Sequence, residues 1–386
     1  MTALRFSFTN TASASNRTPR QINRNLVFNQ IRTQAPISRA DLARASGLQR
    51  STVSLIVEEL LAERWIVEGP MGRLPRGRRP TYLNLNSERG VLALDVHPSH
   101  AMLGIVDLGG RILEQCRIEL PDSPQRVVGQ IVRTVRRMLG THRERKIDGI
   151  GMSLPARFDL GSGNSFFAPN IRWPIRDIRQ RVAEATGLPV TVDNVANACA
   201  LAEIWFGNSD GEHDLVVVNV SEGIGTGIFA NGRILRGEGG YAGEFGHVQL
   251  DPKGPMCACG NRGCWETLAS NRAGLRYFKE IARRPAADFE TLLGLAAEGD
   301  RAAKRAVAKM CAALGRGMRM VSSALAPMEI VVVGDITTRW ELVGPGIEAE
   351  LRRGPMARVP RVRAAAEGGK ARLRSAVALV MNEKRL

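Results

Sequence analysis

The run GEFGHVQLDPKGPMCACGNRGCWETLAS at residues 243–270 brings one imidazole, His247, and three thiols, Cys257, Cys259 and Cys264, onto a single glycine-rich loop. One histidine and three cysteines form a complete tetrahedral donor set for zinc, which accepts both imidazole nitrogen and thiolate sulfur. Gly254, Gly260 and Gly263 supply the tight turns that wrap backbone around an ion. Three reduced cysteines in an ordinary loop would not need such close spacing. Four protein ligands leave no open position for water, so the expected Zn2+ is structural. Six cysteines in 386 residues, three of them within eight positions, are too few for a disulfide scaffold and fit a reducing, cytoplasmic compartment.

Strand-rich units of one plan lie on the N-terminal side of this loop. GVLALDV, AMLGIVDL and ILEQCRIEL, within residues 90–120, read as three short strands, and HDLVVVNVSEGIGTGIFANGRILRG at 213–237 repeats strand, turn, strand, turn, strand. Helical sequence follows each unit, and ALAPMEIVVVGDI at 324–336 passes from helix into strand. The repetition predicts two similar α/β lobes, residues 87–200 and 201–386, with the last helix returning to the first lobe and a ligand cleft between the lobes.

Apolar residues make up 44% of the chain and charged residues 24%, a globular composition that excludes a largely disordered protein. No apolar run approaches the ~18 residues a membrane span needs. The N-terminal MTALRFSFTNTASASNRTPR lacks the apolar segment of a secretory signal. The net charge of +16 sits at the two ends. Residues 1–80 carry 13 basic against 5 acidic side chains, residues 351–386 carry 10 against 2, and the 270 between them hold 31 of each sign. A basic N-terminal unit on a neutral body implies a polyanion-binding module. The basic C-terminal arginines read more simply as the solvated face of a final helix.

Residues 20–86 have the pattern of a winged helix-turn-helix. Leu26, Val27 and Ile31 give the segment 23–32 an amphipathic spacing, Pro36 interrupts it, and Ser38 is placed to cap ISRADLARASG, which Gly47 ends. LQRSTVSLIVEELLAERW at 48–65 then forms a longer helix with Leu48, Val53, Ile56, Val57, Leu60 and Leu61 inward. Helix, glycine turn, helix is the DNA-reading arrangement, with Gln49, Arg50, Ser51, Thr52 and Ser54 near the start of the second helix, where base edges are read. WIVEGPMGRLPRGRRPTYLNLN at 65–86 follows as two short strands around a wing whose Arg73, Arg76, Arg78 and Arg79 suit a minor groove. The plainer alternative is a three-helix interaction module with a solvated basic loop.

GEFGH followed by CACGNRGCWE resembles the ROK family of sugar kinases and sugar-responsive repressors, and GRRPTYLNLN after the helix-turn-helix resembles its repressor branch. The resemblance covers nearly the whole chain. It implies an α/β fold with an N-terminal winged helix-turn-helix and a two-lobed actin-like (ribonuclease H-like) body at 87–386, holding a monosaccharide or sugar derivative in its cleft. By motif, Asn194, Glu244, His247 and Glu266 match ROK residues that hydrogen-bond sugar hydroxyls, and Asn170 in APNIRW is a further candidate. His247 then serves zinc through one ring nitrogen and the sugar through the other. The partners expected are double-stranded operator DNA, a sugar effector and a second copy of the chain, with no membrane.

The same resemblance exposes two departures from the kinases. ROK kinases carry a glycine turn after the first strand, where backbone N–H groups meet ATP phosphate; here LALDVHPSHAML at 92–103 keeps Asp95 but places His97 and Pro98 in the turn. GIGTG at 223–227 survives, and it is equally explained as a tight turn between strands. In place of the Asn-Asp-Ala-Asn segment that supplies the catalytic base stands Asp193-Asn194-Val195-Ala196-Asn197, with Val195 at the base position. Asp193 is expected to point elsewhere, with Asp193 or Asn194 capping a helix. The expectation is a regulator, a repressor with no catalytic residues. The alternatives are an active sugar kinase with a DNA-binding extension and a regulator switched by a protein partner.

Overall fold

The computed structural model describes residues 17–71, 81–121, 123–158, 165–171, 173, 177–207, 214–353, 359–366 and 368–384. Two compact units emerge, one of Met1–Arg89 with Met381–Leu386 and the other of Gly90–Val380. The first holds α1 (Arg17–Gln34), β1 (Ile37–Ser38), α2 (Arg39–Ser46), α3 (Arg50–Ala62), β2 (Ile66–Met71) and β3 (Thr81–Leu85). Ser38 caps α2 by accepting the Asp41 N–H at 3.2 Å, and Gly47 closes it in the left-handed region at φ 69°. Val53, Ile56, Val57 and Leu60 of α3 are buried, as are Val27, Phe28 and Ile31 of α1 and Leu42 of α2, and the three helices pack on one another. Leu26 does not join them: it is 38% exposed, because the buried stripe of α1 runs through Phe28 instead. Leu48 and Leu61 are half-buried. The two wing strands gain a third partner, β1, which pairs Ile37 with Leu83.

The second unit repeats one sheet plan. Its first half contains β4 (Arg89–Val96), β5 (His100–Asp107), β6 (Ile112–Glu119), α4 (Pro124–Thr141), β7 (Lys146–Leu154), β8 (Arg157–Phe158), β9 (Ser165–Phe167), α5 (Ile178–Thr186), β10 (Val190–Asn194) and α6 (Val195–Phe206). Its second half contains β11 (Leu215–Val220), β12 (Ile224–Ala230), β13 (Arg233–Ile234), α7 (Trp265–Ala269), α8 (Asn271–Ala282), α9 (Phe289–Glu298), α10 (Arg301–Leu325), β14 (Glu329–Val333), α11 (Trp340–Leu351), β15 (Arg361–Ala364) and α12 (Gly368–Glu383). The sheets run β6-β5-β4-β7-β10 and β13-β12-β11-β14-β15. Each is an antiparallel meander extended by two further strands, with β10 parallel to β7 and both β14 and β15 in parallel pairs.

Nine residues of helix α6 are buried, seven of them apolar and the others Asn197 and Glu203. One side packs on β12, where Gly227 permits the approach: a Cβ there would lie 2.1 Å from the Ala196 carbonyl oxygen. GIGTG is therefore mostly strand, and its second and third glycines serve helix–strand packing rather than a turn. Another side meets α12 through Ala198, Leu201, Ala378 and Leu379. Helix α12 also lies on the first sheet, with Ala376 against Gly151 of β7. Its arginines are not a solvated face. Arg372 is buried and paired with Asp95 at 2.8 Å, and Arg374 donates to the Gly110 carbonyl at 2.8 Å.

Candidate functional site

The turns and strand ends of both sheets of the second unit face a cleft of about 1000 Å3, the solvent at its mouth included. The first half of the unit contributes Pro98, Ala156 and Asn194, and the second half Glu222, Glu244 and Glu266. Asn170 also lines it. The residues expected to bind sugar are thus gathered in one place. Glu266 is buried at the start of α7, and Glu244 lies on the 3-10 turn of Glu244–His247. Glu244 accepts from Arg157 Nη2 at 2.7 Å. A Cβ on Gly223 would meet Glu266 Oε2 at 2.5 Å and Asn170 Nδ2 at 3.6 Å, so these two groups flank the same point. Asn194 has partners at both ends: Oδ1 accepts the Ala196 N–H at 2.8 Å, capping α6, and Nδ2 donates to the Ala156 carbonyl at 3.1 Å. One amide hydrogen and one lone pair of Asn194 are left for a ligand.

One side of this wall is the cysteine cluster. His247, Cys257, Cys259 and Cys264 each offer a ligand atom within 4.8 Å of the others. The Cys259 and Cys264 sulfurs are 3.7 Å apart, close to the edge of a tetrahedron with zinc–sulfur arms of ~2.3 Å. Gly263, at φ 59°, has no room for a side chain, since a Cβ would fall 1.6 Å from the Asp251 carbonyl oxygen. Burial pushes the Cys264 thiol up to about 11 and the Cys257 thiol further, with the Glu266 carboxylate adding to it at Cys257. A set of buried thiols crowded by a carboxylate is relieved by a divalent cation, so the donor set fits zinc. His247 Nδ1 lies 3.5 Å from Cys257 Sγ and its Nε2 lies 3.7 Å from Glu244 Oε2. One nitrogen faces the metal donors and the other the cleft.

Beside Glu222, at the turn between β4 and β5, lie groups the sequence did not single out as partners. His97 Nε2 lies 2.9 Å from Asp95 Oδ2, and Nδ1 lies 3.4 Å from Glu222. Asp95 also accepts from Ser153 Oγ at 2.8 Å and Arg372 Nη2 at 3.0 Å. Burial alone would raise the Asp95 carboxyl, yet Arg372 and His97 hold it well below the usual carboxylate range. Burial and Arg372 push His97 down, but the Asp95 and Glu222 carboxylates prevail and raise it. Burial takes His100 down to about 4.

Val195, 4% exposed, lines the cleft at the first position of α6. Asp193 also lines it, against the expectation that it points elsewhere. Strand β10 ends there, and Arg236 engages both Asp193 oxygens, with Nη1 donating to Oδ1 at 2.7 Å. Nothing in the local sequence around Arg157 or Arg236 marks them as cleft residues; they arrive from a short strand and a loop.

In the first unit, Gln49, Arg50 and Ser51 are exposed, and Thr52 and Ser54 half-exposed, at the N-terminal end of α3. Leu55 joins this face at 63% exposure. An apolar side chain out of phase with Val53, Ile56, Val57 and Leu60 was the available signal for it. Arg73, Arg76, Arg78 and Arg79 lie outside the described residues. Among the described residues no helix is long and apolar enough to cross a membrane.

The profile described as the ROK family matches residues 91–383. The xylose repressor of Bacillus subtilis (strain 168) is 30% identical over 336 residues, covering 86% of this chain and 87% of that protein. A solved ROK family transcriptional regulator, described as a homologue of the E. coli MLC protein, superposes with a TM-score of 0.76 at 26% identity, over 95% of this chain and 98% of that one. A ROK family glucokinase from Streptomyces griseus, solved with glucose and AMPPNP, gives 0.69 at 30% identity, over 75% and 98%.

Proposed function

The chain belongs to the ROK family, and on that premise we propose that it is a sugar-responsive transcriptional repressor whose kinase-derived body binds sugar without phosphorylating it. Residues 20–86 form the operator-binding winged helix-turn-helix, and residues 87–386 form the sensor, with lobes at 87–200 and 201–386. Gln49, Arg50, Ser51, Thr52 and Ser54 read the major groove, and Arg73, Arg76, Arg78 and Arg79 of the wing enter the minor groove. The protein works in the cytoplasm as a homodimer or higher homo-oligomer, matching the two-fold symmetry of a palindromic operator.

The observation that carries the reading is an asymmetry in the cleft. The polar wall is retained: Glu244, Glu266, His247, Asn194 and Asn170 all line the cleft, and on this reading the two carboxylates accept sugar hydroxyls. The transfer machinery is not. Val195 cannot accept a proton, a loss worth ~10²–10⁴ in rate. Pro98 has no N–H for a phosphate, and His97 occupies the turn by bonding Asp95 and Glu222. When bound, Zn2+ on His247, Cys257, Cys259 and Cys264 supplies a rigid loop and a fixed imidazole tautomer.

A sugar bridging both sheets favours the lobe arrangement in which its hydroxyls are satisfied from both sides, and so shifts the population of the sensor. In a dimer that shift changes the placement of two winged helices and loosens the operator. One observation favours the second reading, an active kinase with a DNA-binding extension: the Asp193 carboxylate lines the cleft beside Val195. Its commitment to Arg236 weighs against it as a base. A thermal-shift screen of monosaccharides and their phosphates, each repeated with operator DNA, tests the proposal. A sugar that raises the melting temperature and weakens operator binding supports it, and a screen without any such sugar refutes it.

A further inference from the structure

The turn between β4 and β5 is closed by the His97 N–H donating to the His100 carbonyl at 2.8 Å. That closure sets both imidazoles on one side of the hairpin, with ring centroids 4.0 Å apart and planes 22° from parallel. Glu222, on the turn between β11 and β12, reaches the same point from the other sheet, 3.4 Å from His97 Nδ1. One ligand atom from each of the three residues lies within 4.8 Å of the others.

We propose that His97, His100 and Glu222 form a second cation site, distinct from the cysteine cluster, for a late first-row divalent metal such as nickel or zinc. Two imidazoles and one carboxylate are the donors such ions take, and they leave coordination positions open to water. The geometry behind the ligands supports the assignment independently. His97 Nε2 is turned to Asp95 Oδ2 at 2.9 Å and Nδ1 to Glu222 at 3.4 Å, so a cation taken up at Nδ1 would replace the proton held between that nitrogen and Glu222. A carboxylate behind an imidazole is the outer-shell support that metal-bound histidines use. Asp95 is itself fixed by Ser153 and Arg372, so the ring is held before any ion arrives. Of the five histidines in the chain, two are spent on this one turn.

The ligands come from both sheets. A cation bound here stabilises the arrangement in which the two turns meet, by an amount that rises with its concentration. It thereby acts as a second effector on the cleft, which Glu222 also lines. The site does not depend on the identity of the sugar or on the absence of kinase activity.

The test adds nickel to tag-free, full-length, zinc-loaded protein and follows binding by calorimetry, zinc retention by metal analysis, and melting temperature. Wild type is expected to take up one nickel per chain without releasing zinc, and to melt higher with it. His100→Ala and Glu222→Gln are each expected to weaken nickel binding at least tenfold and remove the melting shift. His142→Ala, at the end of α4, is the control and should bind nickel as wild type does. Among the described residues the His100 side chain hydrogen-bonds the neighbouring Ser99 hydroxyl, at 3.3 Å, and an alanine there keeps the backbone bond from the His97 N–H that closes the turn. The proposal is overturned if wild type binds no nickel beyond its zinc, if nickel merely displaces the zinc, or if both site variants bind it undiminished.

Discussion

Glu266 stands between two chemistries: Oε1 lies 2.9 Å from Cys257 Sγ, and Oε2 lies on the cleft side near Gly223 and Asn170. A hydroxyl donated to an ionised carboxylate is worth ~1.5–3 kcal/mol. Glu266→Ala is therefore expected to weaken sugar binding by ~10-fold to 150-fold, with operator binding by the sugar-free protein unchanged. Calorimetry with the sugar and anisotropy with operator DNA measure the two effects, and unchanged sugar affinity in a zinc-replete variant counts against the assignment. Asp95 makes a contrasting case, being buried against a buried Arg372. Asp95→Asn leaves that guanidinium uncompensated, and breaking a buried pair costs ~3–5 kcal/mol, read by urea unfolding. The Asp95 carboxyl is held below its unfolded value, so its contribution is full above the ordinary aspartate range and is lost as the pH falls toward the folded value. The gap in urea midpoint between Asp95→Asn and wild type should accordingly be narrower at pH 3 than at pH 7.

Helix α2 shows what an element's ends contribute. Ser38 Oγ both receives the Asp41 N–H and donates to Asp41 Oδ2 at 2.6 Å. Ser38→Ala is expected to cost ~0.5–2 kcal/mol of stability, and a melting temperature equal to wild type contradicts that role. This cap was legible, because Ser38 and Gly47 bracket the apolar run of α2 at the positions where such residues satisfy or reverse the backbone. The meander strands of both sheets and β14 were equally legible, from β-branched runs such as Val216–Val218 in β11, whereas β7, β10 and β15 were not singled out. Less legible was whatever depends on a distant partner. Leu26 has the spacing of a core residue, yet α1 presents Phe28 inward and leaves Leu26 in solvent. The arginines of α12 look like a solvated face until Asp95, far away in the chain, receives Arg372. The four metal donors sit close in sequence and were readable, whereas Arg157, Arg236 and the His97–Glu222 contact join segments that no local pattern connects. At the same scale, Cys259→Ser removes one corner of the donor set. It is expected to lose zinc on purification, which elemental analysis reads, and to blunt the sugar response through His247.

At the scale of the whole molecule, charge is divided as the proposed functions are. Basic residues exceed acidic ones by 13 to 5 in residues 1–80, while the 270 residues from 81 to 350 balance at 31 of each. Operator binding should fall steeply with salt, with log K dropping by ~0.9 per neutralised phosphate for each log unit of salt. Arg50→Ala should relax base choice at one position, whereas Arg78→Ala should weaken binding to all sequences alike. A salt-independent affinity contradicts the nucleic-acid assignment. The central claim is that sugar recognition has outlived phosphoryl transfer in this cleft. One measurement meets it directly: operator-bound protein is mixed with magnesium, ATP and the sugar giving the largest thermal shift, and phosphorylated sugar is quantified alongside operator release. Operator release is expected with no phosphosugar above the protein-free background. Formation of phosphosugar at ordinary kinase rates, ~1–100 per second, contradicts it.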